Sequence, residues 1–263
     1  MDAGARLARF ADGARLFFAI LDDDGRARPL TIDPFAQPDP AAWRAAAAGP
    51  RAVEGWTWLS PCAPTKIIGV GRNYREHAAE LDHPIPGEPL LFLKPPSAIG
   101  GHDAVIRMPR ASRRVDYEGE LGVVIGRTAC RVPEETALSH VLGYTCVNDV
   151  TARDLQKSDV QFTRAKGFDT FCPVGPCLTT GLAPDRLRIE TYVNGSRRQS
   201  APASSMIFGV ARLVSFISHI MTLVPGDLIA TGTPEGVGPL HDGDEVEVVI
   251  EGIGRLRNRV EAL

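Results

Sequence analysis

Four carboxylates offer the most chemistry in this chain. Asp116, Glu118 and Glu120 are spaced two residues apart in VDYEGELGVVIG, and Asp149 follows in GYTCVNDVTARDLQ. On an extended strand, residues i, i+2 and i+4 leave one face, so the three acids stack on one side while Tyr117, Leu121, Val123 and Ile125 take the other. Two of these acids, joined by Asp149 from a second strand, would make an all-oxygen pocket carrying three negative charges. Such a donor set suits a hard divalent cation, Mg2+ or Mn2+, and lacks the His or Cys that zinc favours. The same residues also admit a plainer account. An alternating acidic face is what any half-exposed strand presents, and Asp149 could cap the helix that starts in VTARDLQ.

A second group of polar residues follows the buried strand KIIGVG. In GRNYREHAAEL, Asn73 can cap a short helix, with Glu76 completing a capping box. His77 and Glu80 are then i, i+3 on one face and close enough to pair, although a His on a short exposed helix is often simply solvated. Three prolines in LDHPIPGEP end this helix and leave it a short, mobile element. Arg153 and Gln156 share a helical face in TARDLQ and can meet a ligand carboxylate or face solvent. Lys166 lies in a loop rich in Gly and Pro. Gly69 and Gly71 lack the third glycine of a dinucleotide fingerprint, and no G-x-S-x-G elbow occurs, which disfavours a serine hydrolase.

The elements that must position these side chains are mostly strands. Residues 6–30 read as a small meander with turns at Asp12-Gly13 and DDDG, and DPAAWRAAAA reads as a short helix with Pro40 in its first turn. The passage SPCAPT marks a boundary between a small N-terminal domain, residues 1–60, and a larger one, residues 64–263. In the larger part, LRIETYVNG and DEVEVVIEGIGRLRNRV alternate as hairpin strands. The apolar positions 210, 213, 214, 217, 220 and 221 follow helical spacing and predict a packing helix. Strands outnumber long helices and are not interleaved with crossover helices, so the chain reads as α+β or mostly β rather than a doubly wound sheet.

With 263 residues, 44% of them hydrophobic and 23% charged, the chain can build one substantial core and reads as a soluble globular protein. A net charge of -3 gives no basic footprint for nucleic acid. The five cysteines are odd in number and form no C-x-x-C pair, which argues against a disulfide framework and for a reducing, cytoplasmic setting. No apolar run is long enough for a signal-peptide core or a membrane span.

Seven blocks occur in an order that resembles the fumarylacetoacetate hydrolase superfamily: GRNYREHAAE, FLKPPSAIGG, VDYEGELGVVIG, GYTCVNDVTARDLQ, TRAKGFDTFCPVGP, MIFGVARLVSFISHIMTLVPGDLIATGTPEGVG and EGIGRLRN. The resemblance covers about residues 64–263. It implies an α+β, mixed β-roll or β-sandwich fold with a small β-rich N-terminal domain, a homodimer, and Mg2+ or Mn2+ held by Glu118, Glu120 and Asp149. It further implies a catalytic His77–Glu80 dyad on a lid, a catalytic Lys166, and a substrate site built from Arg72, Tyr74, Arg153, Gln156 and Thr233. The expected reaction is metal-dependent hydrolysis of a C–C bond in a small β-diketo acid of the acylpyruvate or fumarylpyruvate type. The alternatives are decarboxylation or isomerisation of an unsaturated dicarboxylic 2-oxo acid, decarboxylation of oxaloacetate, or a non-catalytic dimer stabilised by a cation. Ser205 stands where many relatives carry an acid, and GTPEGVG runs directly into PLHDGDEV. Both departures bear on the substrate and neither on the metal ligands.

Overall fold

In the computed structural model, which describes residues 4–80 and 84–263, the acidic strand Gly119–Ile125 runs through the middle of an eleven-stranded sheet among the described residues. It pairs antiparallel with Val141–Asn148, placing Gly119 opposite Asn148 and Glu120 opposite Val147. On its other side lie Leu228–Ala230, then Ile67–Gly71 in parallel, then the edge strand Leu90–Lys94. Past Val141–Asn148 the sheet continues through Cys172–Thr179 to Arg6–Asp12, Arg15–Leu21 and Ala27–Pro29.

Every residue of Gly119–Ile125 is buried, which departs from the half-exposed strand that its alternation allowed. The split of faces is the one the sequence predicts, but both faces are covered. Leu121, Val123 and Ile125 pack against Ile68, Val70 and the helix Val210–Ile220. Val124, on the acids' side, packs with Val147, Leu228 and Ala230. Glu118 and Glu120 are therefore enclosed in protein. The helix Val210–Ile220 buries Val210, Leu213, Val214 and Ile217 as its spacing requires. At roughly 1.5–3 kcal/mol for each such side chain, that face and not helical propensity holds it in place.

The hairpin strands form a second sheet in the order Ser196–Pro202, Arg188–Val193, Glu245–Ile250, Gly254–Ala262 and Val105–Met108. Alternate residues of Arg188–Val193 and Glu245–Ile250 are buried, and Ile189, Val248 and Ile250 join the core under Gly119–Ile125. A three-stranded sheet of Thr151–Ala152, Val115–Tyr117 and Gly238–Pro239 sits beside them.

The N-terminal meander forms as expected, and Asp39 caps the helix Pro40–Ala46 by accepting a 2.9 Å hydrogen bond from Ala41 N. Strand Arg6–Asp12 pairs both with Thr57–Leu59 and with Cys172–Thr179, so the sheet runs across the division expected near residue 60. All five cysteines are free thiols. Among the described residues no helix is long and apolar enough to cross a membrane. The proline-rich stop after His77 begins at residues 81–83, which lie outside the described residues.

Candidate metal centre and active site

Glu118 and Asp149 meet because their backbones are tied together. Asp149 N donates to Glu118 O at 2.8 Å, and Glu118 N donates to Asn148 Oδ1 at 3.0 Å. Glu120 lies one step further along, its Oε2 accepting a 2.8 Å hydrogen bond from Gly232 N. Between the two glutamates a side chain is forbidden: a Cβ on Gly119 would lie 2.0 Å from Thr191 Oγ1. Each of Glu118, Glu120 and Asp149 offers an oxygen within 4.8 Å of the others, and all three are buried. Asp149 is no helix cap, since the helix Arg153–Ser158 follows Ala152 without a side-chain cap.

Asp116, the third acid of the predicted stack, does not join them. It belongs to the separate strand Val115–Tyr117, and the register breaks at Glu118. Its carboxylate accepts hydrogen bonds from Arg114 Nε at 2.9 Å and Arg153 Nε at 2.9 Å. Arg153 in turn donates to Gln156 Oε1 at 2.6 Å and to Glu118 Oε1. Asp116 thus orients the Glu118 carboxylate through Arg153.

Two lysines complete the charge pattern. Lys166 Nζ donates to Glu118 Oε2 at 2.7 Å and Asp149 Oδ2 at 2.6 Å, while Lys94 Nζ donates to Asp149 Oδ1 at 2.6 Å. Burial works to raise the Glu118 carboxyl, but Lys166 and Arg153 override it and hold it well below the usual range. Glu120 is the opposite case, pushed well up by burial and by the charges of Asp149 and Glu118. Burial also opposes the charge on Lys166, yet the carboxylates of Asp149 and Glu118 raise its pKa and keep it an ammonium. A buried carboxylate pressed against two others and touched by one backbone donor among the described residues fits a divalent cation, whose charge would offset the repulsion. Glu118, Glu120 and Asp149 would hold it, and oxygen donors of this kind suit a hard ion.

His77 is buried, 5% exposed, and not the solvated surface residue that a short helix suggested. Its Nδ1 lies 3.2 Å from Glu80 Oε2, within the helix Arg75–Glu80. Glu80 also accepts a 3.1 Å hydrogen bond from Gly236 N, so the helix is docked onto the GTPEGVG loop. Asn73 is not the helix cap that was expected. Its Nδ2 donates to Thr231 O at 2.7 Å and Phe208 O at 3.0 Å, and its Oδ1 accepts from Phe208 N, joining three segments instead.

A cavity of about 530 Å³ gathers the predicted site residues, with Tyr74 the exception. Tyr74 does not line it: its side chain is buried, and its hydroxyl has no hydrogen-bond partner among the described residues. Thr233 lines the cavity, but its hydroxyl donates to Gly119 O at 2.9 Å and accepts from Gln199 Nε2 at 2.7 Å. Sequence reasoning assigned no role to Lys94 or Lys157. Lys94 had one legible signal, a Lys ending the apolar run LLFLK where the strand needs a buried residue. Lys157 had another, its i, i+4 spacing from Arg153. Phe92 and Phe162 close the apolar side of the cavity, with Lys166 Nζ 4.9 Å from the Phe92 ring centre.

The family model described as fumarylacetoacetate (FAA) hydrolase C-terminal matches residues 66–261. The chain belongs to this family. An oxaloacetate tautomerase of Bacillus subtilis is 46% identical over 211 residues, 75% of this chain and 70% of that one. A mitochondrial oxaloacetate tautomerase of Pongo abelii is 42% identical over 212 residues, 78% of this chain and 94% of that one. A 2,4-didehydro-3-deoxy-L-rhamnonate hydrolase of a Sphingomonas species is 45% identical over 207 residues, 74% and 73% of the two chains. The crystal structure of a 5-carboxymethyl-2-hydroxymuconate delta-isomerase from Mycobacterium smegmatis superposes with a TM-score of 0.88 at 41% identity, covering 98% of this chain and 100% of that one. The α+β fold is that of the family, and these relatives are enzymes.

Proposed function

We propose that the chain is a divalent-metal-dependent tautomerase or isomerase of a small anionic 2-oxo acid. The observation that carries the reading is the His77–Glu80 pair opening onto the same cavity as the three acids and Lys166. With Nδ1–H donated to Glu80, His77 keeps the Nε2 lone pair to take a proton from the carbon beside the carbonyl or, once charged, to return it. In the enol-to-keto direction that carbon gains a proton and the neighbouring hydroxyl loses one. No water is consumed and no carbon–carbon bond breaks. Glu80 fixes the ring and stabilises its charged form, while Phe92 and Phe162 limit the water that reaches it. The bound ion, Mg2+ or Mn2+, would supply Lewis acidity toward the substrate carboxylate and its adjacent oxygen.

Hydrolysis of a β-diketo acid, the first expectation from the sequence, becomes the second reading. The same dyad can activate water, and one relative is a hydrolase. The two tautomerases and the isomerase-type structure support proton transfer ahead of it. Following the ultraviolet absorbance of freshly dissolved enol-oxaloacetate, with NMR of the products, tests the order. Faster ketonisation without pyruvate or CO2 is expected. Cleavage of an acylpyruvate with no effect on the enol would overturn it. A homodimer is proposed as well: Leu93 and Ile220, more than half exposed, lie together beside the edge strand Leu90–Lys94. Sedimentation at the monomer mass would exclude it.

A further inference from the structure

Both backbone groups of Gly236, the residue on which the helix Arg75–Glu80 docks, are committed. Its N–H donates to Glu80 Oε1 at 3.1 Å, and its carbonyl accepts a 2.8 Å hydrogen bond from the Tyr117 hydroxyl. No side chain fits there: φ is +94°, and an added Cβ would lie 2.2 Å from Arg198 O. A glycine does not by itself fix the direction of its N–H, so that direction depends on what holds the loop. Gln199 Nε2 donates to Pro234 O at 2.8 Å, and Gly238 pairs with Tyr117 in the three-stranded sheet. Between these anchors, the backbone of residues 235–237 has hydrogen bonds to Glu80 and Tyr117 alone among the described residues.

Tyr117 is built to hold a position rather than a ligand. Its side chain is buried, in the apolar cluster that also contains Val115, Val150 and Leu155, so packing sets the ring before the hydroxyl reaches Gly236. It does not line the cavity that His77 and Glu80 share with the acids. It directly precedes Glu118, so one short stretch carries both a residue of the acid cluster and the hydroxyl that holds the loop.

Resting on the proton-transfer reading above, we propose that Tyr117 is a positioning residue for the His77–Glu80 pair. Its hydroxyl fixes Gly236, the Gly236 N–H holds the Glu80 carboxylate, and Glu80 Oε2 lies 3.2 Å from His77 Nδ1. Without the hydroxyl the amide turns with the loop. Glu80 then loses a fixed donor, and His77 spends less time in the orientation that leaves Nε2 free for the proton.

Tyr117→Phe tests this, because it removes one oxygen and keeps the ring. With Mg2+ supplied, kcat for ketonisation of enol-oxaloacetate is expected to fall about tenfold, the worth of one hydrogen bond, with KM within about twofold. Calorimetric Mg2+ affinity should stay within about twofold and the thermal midpoint within about 4 °C, which damage at the neighbouring Glu118 would not allow. In a Glu80→Ala background the same substitution should change kcat by less than about twofold, since Gly236 has nothing left to hold. Hydrogen exchange of the metal-free protein gives a reading independent of activity: peptides covering Arg75–Glu80 should exchange faster in Tyr117→Phe, and those covering Gly119–Ile125 should not. Unchanged kcat, an equal loss in the Glu80→Ala background, or a fall in Mg2+ affinity that accounts for the rate would overturn the positioning role and leave the tautomerase reading standing. If wild type leaves the enol unaffected, that reading falls and exchange decides the role of Tyr117: no faster exchange at Arg75–Glu80 in the variant would overturn it as well.

Discussion

Lys94 Nζ lies 2.6 Å from Asp149 Oδ1, and both side chains are closed to solvent. The pair spans half of the central sheet: Lys94 ends its edge strand, and Asp149 follows the interior strand Val141–Asn148. Lys166 occupies the other oxygen of the same carboxylate, so Asp149 is held from two sides before any metal arrives.

Removing one partner of a buried ion pair costs roughly 3–5 kcal/mol, because the remaining charge stays desolvated. Asp149 keeps Lys166, so Lys94→Met should lie at the low end, about 3 kcal/mol. The expected result is a lower urea midpoint with an unchanged m-value. A variant as stable as wild type would show that Lys94 does not hold Asp149 in solution.

His77→Gln should lower kcat on the best 2-oxo acid by about 10^2–10^4, the worth of a positioned general base. KM and the thermal midpoint should move little, because the residue's polar partner among the described residues is the partly exposed Glu80. Steady-state kinetics and a thermal melt on the same preparation check both halves. Full kcat in the variant would remove His77 from the proton transfer.

The acid cluster was legible because Glu120 lies on one strand, Asp149 follows its neighbour, and the two-residue spacing brings Glu118 beside them from just outside the strand. What the alternation did not contain was the second layer. Nothing in VDYEGELGVVIG states that both faces are covered, and coverage turns an acidic stripe into a buried cluster with opposed pKa shifts. Asp116 was misplaced for a related reason: the period was carried through Glu118, where the backbone changes sheets. Asn73 was read from local sequence as a cap, but long-range partners at Thr231 and Phe208 decide its conformation. Lys94 and Lys157 carried only local signals, the end of the apolar run LLFLK and the i, i+4 spacing from Arg153. Their roles depend on a strand and a helix meeting residues more than 50 positions away in the case of Lys94, which local periodicity does not encode.

Gly232→Ala probes the amide that faces Glu120. Gly232 has a φ of +99°, and an added Cβ would lie 2.7 Å from Asn73 Cβ, an atom that no side-chain rotation can move away. Strain of this kind costs of order 1–3 kcal/mol. The variant should melt lower and bind Mg2+ or Mn2+ more weakly, since the Gly232 N–H donor to Glu120 is displaced. A stable variant with wild-type calorimetric metal affinity would mean that this amide does not set the carboxylate.

The last prediction concerns protons and the metal. Glu118 and Glu120 start from the same ordinary value of 4.5 and are driven apart, Glu118 down and Glu120 up. Glu118 binds its proton more weakly in the folded protein than in the unfolded chain, so the stability it contributes is present above 4.5 and is lost as pH falls through its lowered folded value. Glu120 binds its proton more tightly when folded, so its contribution is present below 4.5 and is lost as pH rises through its raised folded value. Above that value the metal-free protein carries an unrelieved buried charge that a divalent cation would offset. Mg2+ or Mn2+ should therefore raise the thermal midpoint more above the raised Glu120 value than below it, because binding requires the deprotonated carboxylate. Below the raised pKa of Glu120, binding should also release close to one proton, read from calorimetric enthalpies in two buffers of different ionisation heat. Glu120→Gln should abolish that release and weaken binding. Proton release and affinity both unchanged in Glu120→Gln would take Glu120 out of the metal site.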